Sequence, residues 1–158
     1  MEERTDGDPL EVAQENARRK ARAVDGDLVV GADTVVALDE RILPKPRDAG
    51  QAGDWLRALS GRTHRVVGGL CVVRAGREQV VAEITEVTFR ELAEGDVAWY
   101  LASGEWEGKA GGYAIQGIAA AFIERLEGSY SGVMGLPLCE TALLVQRIGN
   151  GGEPLVHV

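Results

Sequence analysis

The feature that most narrows the fold is a pair of long β-prone stretches, His64 to Arg74 and Gln79 to Phe89, joined by a short connection that contains Ala75-Gly76-Arg77. Both are rich in Val, with Ile, Thr and Phe in the second, and a short Gly-containing connection between two such runs predicts a β-hairpin. A third run, Leu28-Val29-Val30-Gly31-Ala32, is continuously apolar and predicts a strand buried on both faces, which Thr34 to Leu38 continues beyond a kink. Around these strands the apolar period lengthens to that of helices. Asp8 as cap, Pro9 at the first helical position and Glu11 at capping-box spacing open a first helix. Leu10, Ala13, Ala17, Ala21 and Val24 give it one narrow apolar face, and Asp25-Gly26-Asp27 ends it.

A second helix is expected from Asp48 to Ser60, with Ala49, Ala52, Leu56 and Leu59 inward and Gly61 as its stop. A third runs from Glu94 to Ser103 and closes at Gly104, and a last one runs from Pro137 to about Ile148. Strand-like segments lie around Tyr113 to Ile115 and Ala120 to Leu126. With no internal repeat and no linker, the pattern predicts a single α/β domain over residues 1–149, built on a mixed, twisted β-sheet with flanking helices, and a tail over 150–158.

Hydrophobic residues make up 45 % of the 158 residues, enough to fill a core, while aromatics at 5 % leave that core mainly to Val, Leu, Ile and Ala. The formal net charge of −8 repels a polyanion over most of the surface, which argues against nucleic acid as a partner. It does not argue against a nucleotide, because a few cations or a metal ion reverse the field inside one pocket. Cys71 and Cys139 are isolated, as are His64 and His157, so neither a disulfide framework, a zinc site nor a Ser-His-Asp triad has its raw material. No apolar stretch approaches membrane-spanning length and the acidic N-terminus has no signal-peptide pattern, so a cytoplasmic protein with no membrane partner is expected.

Four polar clusters interrupt the apolar framework. Asp33 follows a buried run, where a carboxylate is costly unless solvated, paired or metal-bound, and strand ends of α/β sheets are where ligands gather. Lys45 stands between Pro44 and Pro46, which stiffen the backbone around a side chain able to meet phosphate as a point charge. Lys109 lies among glycines in Gly108-Lys109-Ala110-Gly111-Gly112, and Gln116 carries both a donor and an acceptor with which to read a base edge. The fourth is Gly128-Ser129-Tyr130-Ser131-Gly132, followed by Gly135-Leu136-Pro137-Leu138. Each string alone also fits an ordinary turn, surface loop or helix start.

In this order the clusters resemble the Maf family of nucleoside triphosphate pyrophosphatases. The resemblance runs through Lys20-Ala21, Gly31-Ala32-Asp33-Thr34-Val35-Val36, Lys45-Pro46, Leu59-Ser60-Gly61 with His64-Arg65-Val66, and Thr85-Glu86-Val87-Thr88-Phe89. It continues through Lys109-Ala110-Gly111, Tyr113-Ala114-Ile115-Gln116-Gly117, Gly128-Ser129-Tyr130-Ser131 and Gly135-Leu136-Pro137-Leu138. It implies a Maf/ITPase-like fold and hydrolysis of a nucleoside triphosphate to monophosphate and pyrophosphate, with Asp33 as proton acceptor and a divalent cation, Mg²⁺ or Mn²⁺, as cofactor. Lys45 and Lys109 are the candidates for the triphosphate. Asp33-Thr34 and Ile115-Gln116-Gly117 are similar to the subgroup acting on dTTP and UTP, which makes Thr34 and Gln116 the candidate specificity residues.

Family members open with a strand and a Ser-x-Ser-Pro-Arg-Arg-like loop, and neither occurs here; of the preceding acidic position only Glu2 or Glu3 could correspond. The expectation is therefore a domain lacking its first strand and that arginine loop, with an unpaired sheet edge. The competing expectation is a catalytically inactive nucleotide-binding or cell-division-associated protein. The identity of the metal ligands and a homodimer both stay open.

Overall fold

The computed structural model describes residues 2–149; the tail expected over 150–158 lies outside the described residues. Five strands form one sheet in the order β2-β1-β3-β4-β5: β1 (Leu28–Leu38), β2 (Arg41–Ile42), β3 (Thr63–Arg74), β4 (Arg77–Phe89) and β5 (Ile123–Glu127). The expected hairpin is the centre of the sheet. β3 and β4 pair from Thr63 opposite Thr88 to Arg74 opposite Arg77, and Ala75 and Gly76 turn the chain with φ of 50° and 76°. Two central residues at positive φ are what the right-handed strand twist demands of so short a loop.

Every pairing among the described residues is antiparallel, where the sequence suggested a mixed sheet. The connection from β1 to β3 explains this. β2 and helix α2 (Ala49–Leu59) return the chain to the same end of the sheet, so no crossover is needed. β1 runs unbroken through Asp33 rather than kinking before Thr34, and its first half alternates between exposed and buried instead of being buried on both faces. Its outer edge is paired among the described residues only at Ala37 and Leu38, by β2.

Helix α1 (Pro9–Arg22) starts as expected, with the Asp8 carboxylate accepting from the Glu11 backbone N–H at 3.1 Å. It covers one face of the sheet at very short range. An added Cβ at Gly31 would lie 2.3 Å from the Ala17 carbonyl oxygen, and one at Gly69 would lie 2.0 Å from that of Ala13. The two glycines, on β1 and β3, are what let the helix backbone settle onto the strands. The buried stripe of α1 differs from the expected one: Leu10 and Val24 are exposed, and Val12 and Asn16 join Ala13, Ala17 and Ala21 inside. The rotation follows from the contact, since only small residues fit where backbones nearly touch.

The opposite face carries the main core. Val36 and Leu38 of β1, Val66 of β3 and Val87 and Phe89 of β4 pack against Leu56 and Leu59 of α2 and Val97 and Tyr100 of helix α3 (Glu94–Ser103). Each such side chain contributes about 2 kcal/mol when fully removed from water. Ala49, expected inward on α2, is exposed at the first turn, and Trp55 is buried instead. Helix α4 (Tyr130–Met134), within the Gly-rich stretch read as a loop, and α5 (Leu138–Gly149) complete this face, where Leu144 and Ile148 meet Leu70 and Val72. The segment around Tyr113 to Ile115 is not a strand. Two short 3₁₀ stretches, Ala110–Gly112 and Ile118–Phe122, flank it, and β5 begins only at Ile123.

Candidate active site

A cleft of about 450 Å³ opens along the free edge of β1. Because that edge is unpaired, the cleft reaches residues on both faces of the strand: Asp33 and Val35 on the α1 side, Thr34 and Val36 on the other. All five residues singled out from sequence, Asp33, Thr34, Lys45, Lys109 and Gln116, line it.

Asp33 sits in the middle of β1, opposite Gly69, and not at the carboxyl end of a strand as expected. It is only 7 % exposed. Gly31 and Gly69 draw α1 so close that residues one turn apart on that helix, Asn16 and Lys20, come over the carboxylate. Lys20 Nζ donates to Asp33 Oδ1 at 2.8 Å, and Asn16 Nδ2 donates to Asp33 Oδ2 at 3.1 Å. The same ammonium meets Glu3 Oε1 at 2.9 Å, so two carboxylates converge on one lysine. Burial works against the Lys20 charge, but Asp33 and Glu3 outweigh it and hold the ammonium above its ordinary pKa. The hydrogen bond from Lys20, with weaker help from Lys45, correspondingly holds Glu3 below the usual carboxylate range.

The two loop lysines are placed by backbone anchoring. Trp55 Nε1 donates to the Pro44 carbonyl at 3.0 Å, fixing the Pro44-Lys45-Pro46 segment against α2. Lys45 is left largely exposed, with its Nζ 3.7 Å from Glu3 Oε2. Lys109 directly precedes a 3₁₀ turn that is tied down by the Gly111 N–H donating to the Leu43 carbonyl at 2.8 Å. Gly111 has φ +68°, and a Cβ there would lie 2.8 Å from Val36 Cγ1, so the turn rests on β1 only because that side chain is missing. Behind it the Tyr100 hydroxyl donates to the Gly112 carbonyl at 2.9 Å, and the Tyr113 hydroxyl bonds His64 Nε2 at 2.6 Å. Gln116, four residues past this buttress, is exposed at the cleft wall, as is Met134.

Sequence reading missed Arg4 and Asn16 as lining residues, and it cited Glu3 and Lys20 without assigning them to the site. For Asn16 a signal existed: a polar residue inside the apolar stripe of a helix, four before a lysine. Glu3 and Arg4 lie in an irregular segment that carries no periodicity. Together the lining holds three lysines, Lys20, Lys45 and Lys109, and Arg4, whose Nε donates to the Asp6 carbonyl at 3.0 Å, against two carboxylates, Glu3 and Asp33. In a chain of net charge −8 this reverses the field locally and suits a small polyanion. Among the described residues, the cleft included, no group of three or more His, Cys, Asp or Glu side chains is arranged to hold a metal ion, and no helix is long and apolar enough to cross a membrane.

A family model described as Maf-like protein matches residues 1–148. The chain is 50 % identical over 149 residues to the dTTP/UTP pyrophosphatase of Paramagnetospirillum magneticum, a match covering 89 % of this chain and 77 % of that protein. It is 51 % identical over 137 residues to the dTTP/UTP pyrophosphatase of Anaeromyxobacter dehalogenans, covering 84 % and 71 %, and 48 % identical over 145 residues to that of Hyphomonas neptunium, covering 89 % and 75 %. The match runs through every element that lines the cleft, and the chain belongs to the Maf-like family.

Proposed function

We propose that this protein hydrolyses a nucleoside triphosphate, dTTP or UTP, to the monophosphate and pyrophosphate. The observation that carries the reading is the meeting of a buried carboxylate, Asp33, with three lysines, Lys20, Lys45 and Lys109, in one cleft. Asp33 takes a proton from water as the water oxygen bonds to the α-phosphorus and the bond to the bridging oxygen of the β-phosphate breaks. Pyrophosphate departs with its charge offset by Lys45 and Lys109, which act where charge develops. Lys20 holds Asp33 oriented until substrate arrives.

Glu3 and Asp33 are the residues that fit a divalent cation. Their oxygens already converge on one ammonium, they are hard donors, and two carboxylates completed by phosphate oxygens and water are what Mg²⁺ or Mn²⁺ takes. When bound, such an ion supplies charge compensation for the phosphates. Thr34 and Gln116 are assigned to the base, on the wall of the cleft away from Lys20, where a pyrimidine edge with its mixed donor and acceptor atoms suits a carboxamide. The binding-only alternative has no observation of its own.

The test is pyrophosphate release by the purified protein with Mg²⁺ or Mn²⁺ from dTTP, UTP, dCTP, ATP and GTP. Turnover of dTTP and UTP ahead of the others, lost in Asp33→Asn, is the expected result. Binding of UTP without release of pyrophosphate, in the presence of either metal, overturns the catalytic reading.

A further inference from the structure

Four polar or charged residues of the described chain are buried: Asn16, Asp33, His64 and Thr85. The proposed reaction accounts for Asp33. His64 bonds Tyr113, and the Thr85 hydroxyl accepts from the Ser129 N–H at 2.9 Å. Asn16 alone has no place in that account, although it is 2 % exposed in the middle of a helix face otherwise made of Val12, Ala13, Ala17 and Ala21. Asn is a poor helix former and its amide is costly to bury, so packing alone favours an apolar residue there.

Its hydrogen bonds show what the amide does. Asn16 Oδ1 accepts from the Arg4 backbone N–H at 2.8 Å, and Nδ2 donates to the Arg4 carbonyl at 2.9 Å, so the side chain pairs with Arg4 as a neighbouring strand would. The second Nδ2 hydrogen goes to Asp33 Oδ2. One planar group therefore fixes two things together. It settles the rotamer of Asp33, leaving Oδ1 to Lys20, and it clamps the irregular segment that carries Glu3 onto the same lysine.

We propose that Asn16 is a positioning residue that aligns both carboxylates, Asp33 and Glu3, for the reaction. The inference rests on the hydrolase reading and adds to it a residue whose chemistry is purely geometric. An aspartate of the same size would remove both donated hydrogens and set a like charge beside Asp33. A leucine would keep the volume and remove every polar atom. Either change leaves Lys45, Lys109, Thr34 and Gln116 untouched, so with the metal ion at saturating concentration substrate binding survives while the proton acceptor is misplaced. A displacement of about 1 Å costs roughly 100-fold in rate.

The experiment compares wild type, Asn16→Asp and Asn16→Leu in steady-state hydrolysis of UTP, with thermal melts to confirm cooperative folding. It adds two readouts that need no turnover: Mn²⁺ affinity by electron paramagnetic resonance and hydrogen exchange at the Arg4 amide. The expected result is kcat down about 100-fold in both variants with KM within about threefold, weaker Mn²⁺ binding, and at least about tenfold faster Arg4 exchange. Variants that keep kcat within about threefold of wild type, or that lose KM in step with kcat, overturn the proposal. If wild type releases pyrophosphate from no nucleotide, the hydrolase reading fails separately. Unchanged Mn²⁺ affinity and Arg4 exchange in the variants then overturn the positioning role as well.

Discussion

Two carboxylates face the same pair of adjacent glycines from opposite sides of the sheet, and their fates differ. Asp33 of β1 stands opposite Gly69, and Glu83 of β4 stands opposite Gly68. Over Asp33 the helix places Lys20 and Asn16, so both carboxylate oxygens have partners. Over Glu83 lie α4 and α5, which bring Ser129, Gly132 and another acid, Glu140. Thr85 donates to Glu83 Oε1 at 3.0 Å, but Glu83 Oε2 and Glu140 Oε2 are buried with no hydrogen-bond partner among the described residues. Burial, with the Glu140 charge adding to it, pushes Glu83 above the usual carboxylate range. A glycine opposite a carboxylate makes room for it; the helix packed above decides whether its oxygens find partners or its burial becomes a cost.

The sharpest break between the two is activity. Asp33→Asn is expected to lower kcat for UTP by about 1000-fold, whereas Glu83→Gln leaves it within about twofold. Equal losses in a pyrophosphate-release assay would erase the functional distinction between the two faces.

The acid limb of stability has to be separated from both carboxylates, because His64 contributes to it. Burial lowers its pKa from 6.5 to about 4. Between those values the unfolded chain binds a proton that the folded one refuses, so stability present above pH 6.5 is lost as pH falls toward 4, by up to about 3 kcal/mol. His64→Gln should flatten this slope in urea titrations at pH 7 and pH 4.5. An unchanged slope would move the acid sensitivity to other groups.

Removing the shared ammonium makes the Asp33 side resemble the Glu83 side. Lys20→Met leaves Glu3 and Asp33 facing each other, at a cost of about 1–2 kcal/mol once solvent screening of a side chain that is one-third exposed is allowed for. Mg²⁺ should then raise Tm more in the variant than in wild type, because nothing competes for the oxygens. A smaller Mg²⁺ shift in Lys20→Met would mean that the carboxylates do not converge on a cation site.

The smallest effect is on the other face. Glu83 keeps its proton longer in the folded state, so its contribution is favourable below the unfolded pKa and lost as pH rises through the folded one. Glu83→Gln should therefore raise Tm by about 1–2 °C at pH 8 and leave it unchanged at pH 4. A lower Tm at pH 8 would show that the Thr85 hydrogen bond outweighs the burial of charge.

The hairpin of β3 and β4, α3 with its Gly104 stop, and the Asp8 cap were legible in sequence because each depends on residues close to one another in the chain. The five residues proposed for the site, all of which line the cleft, were singled out through their chemistry and order. What escaped was set at longer range. The 3₁₀ turns around Tyr113 depend on the Tyr100, His64 and Leu43 contacts, and no local period encodes those. Leu10 and Val24 read as inward because periodicity rewards apolar residues, whereas the backbone contact at Gly31 and Gly69 rotated α1 to bury Asn16 instead.

The residues alone settled which chemistry is available: one acid in an apolar strand, lysines held by proline and glycine, and no histidine or cysteine set to rival them. Where that acid lies, and what holds it, emerged only on folding. A pair of glycines 38 positions apart brought a helix backbone within touching distance of two strands, and in doing so delivered Asn16, Lys20 and Glu3 to Asp33. Contact between segments so far apart in the chain depends on three-dimensional packing, for which a one-dimensional pattern carries no signal.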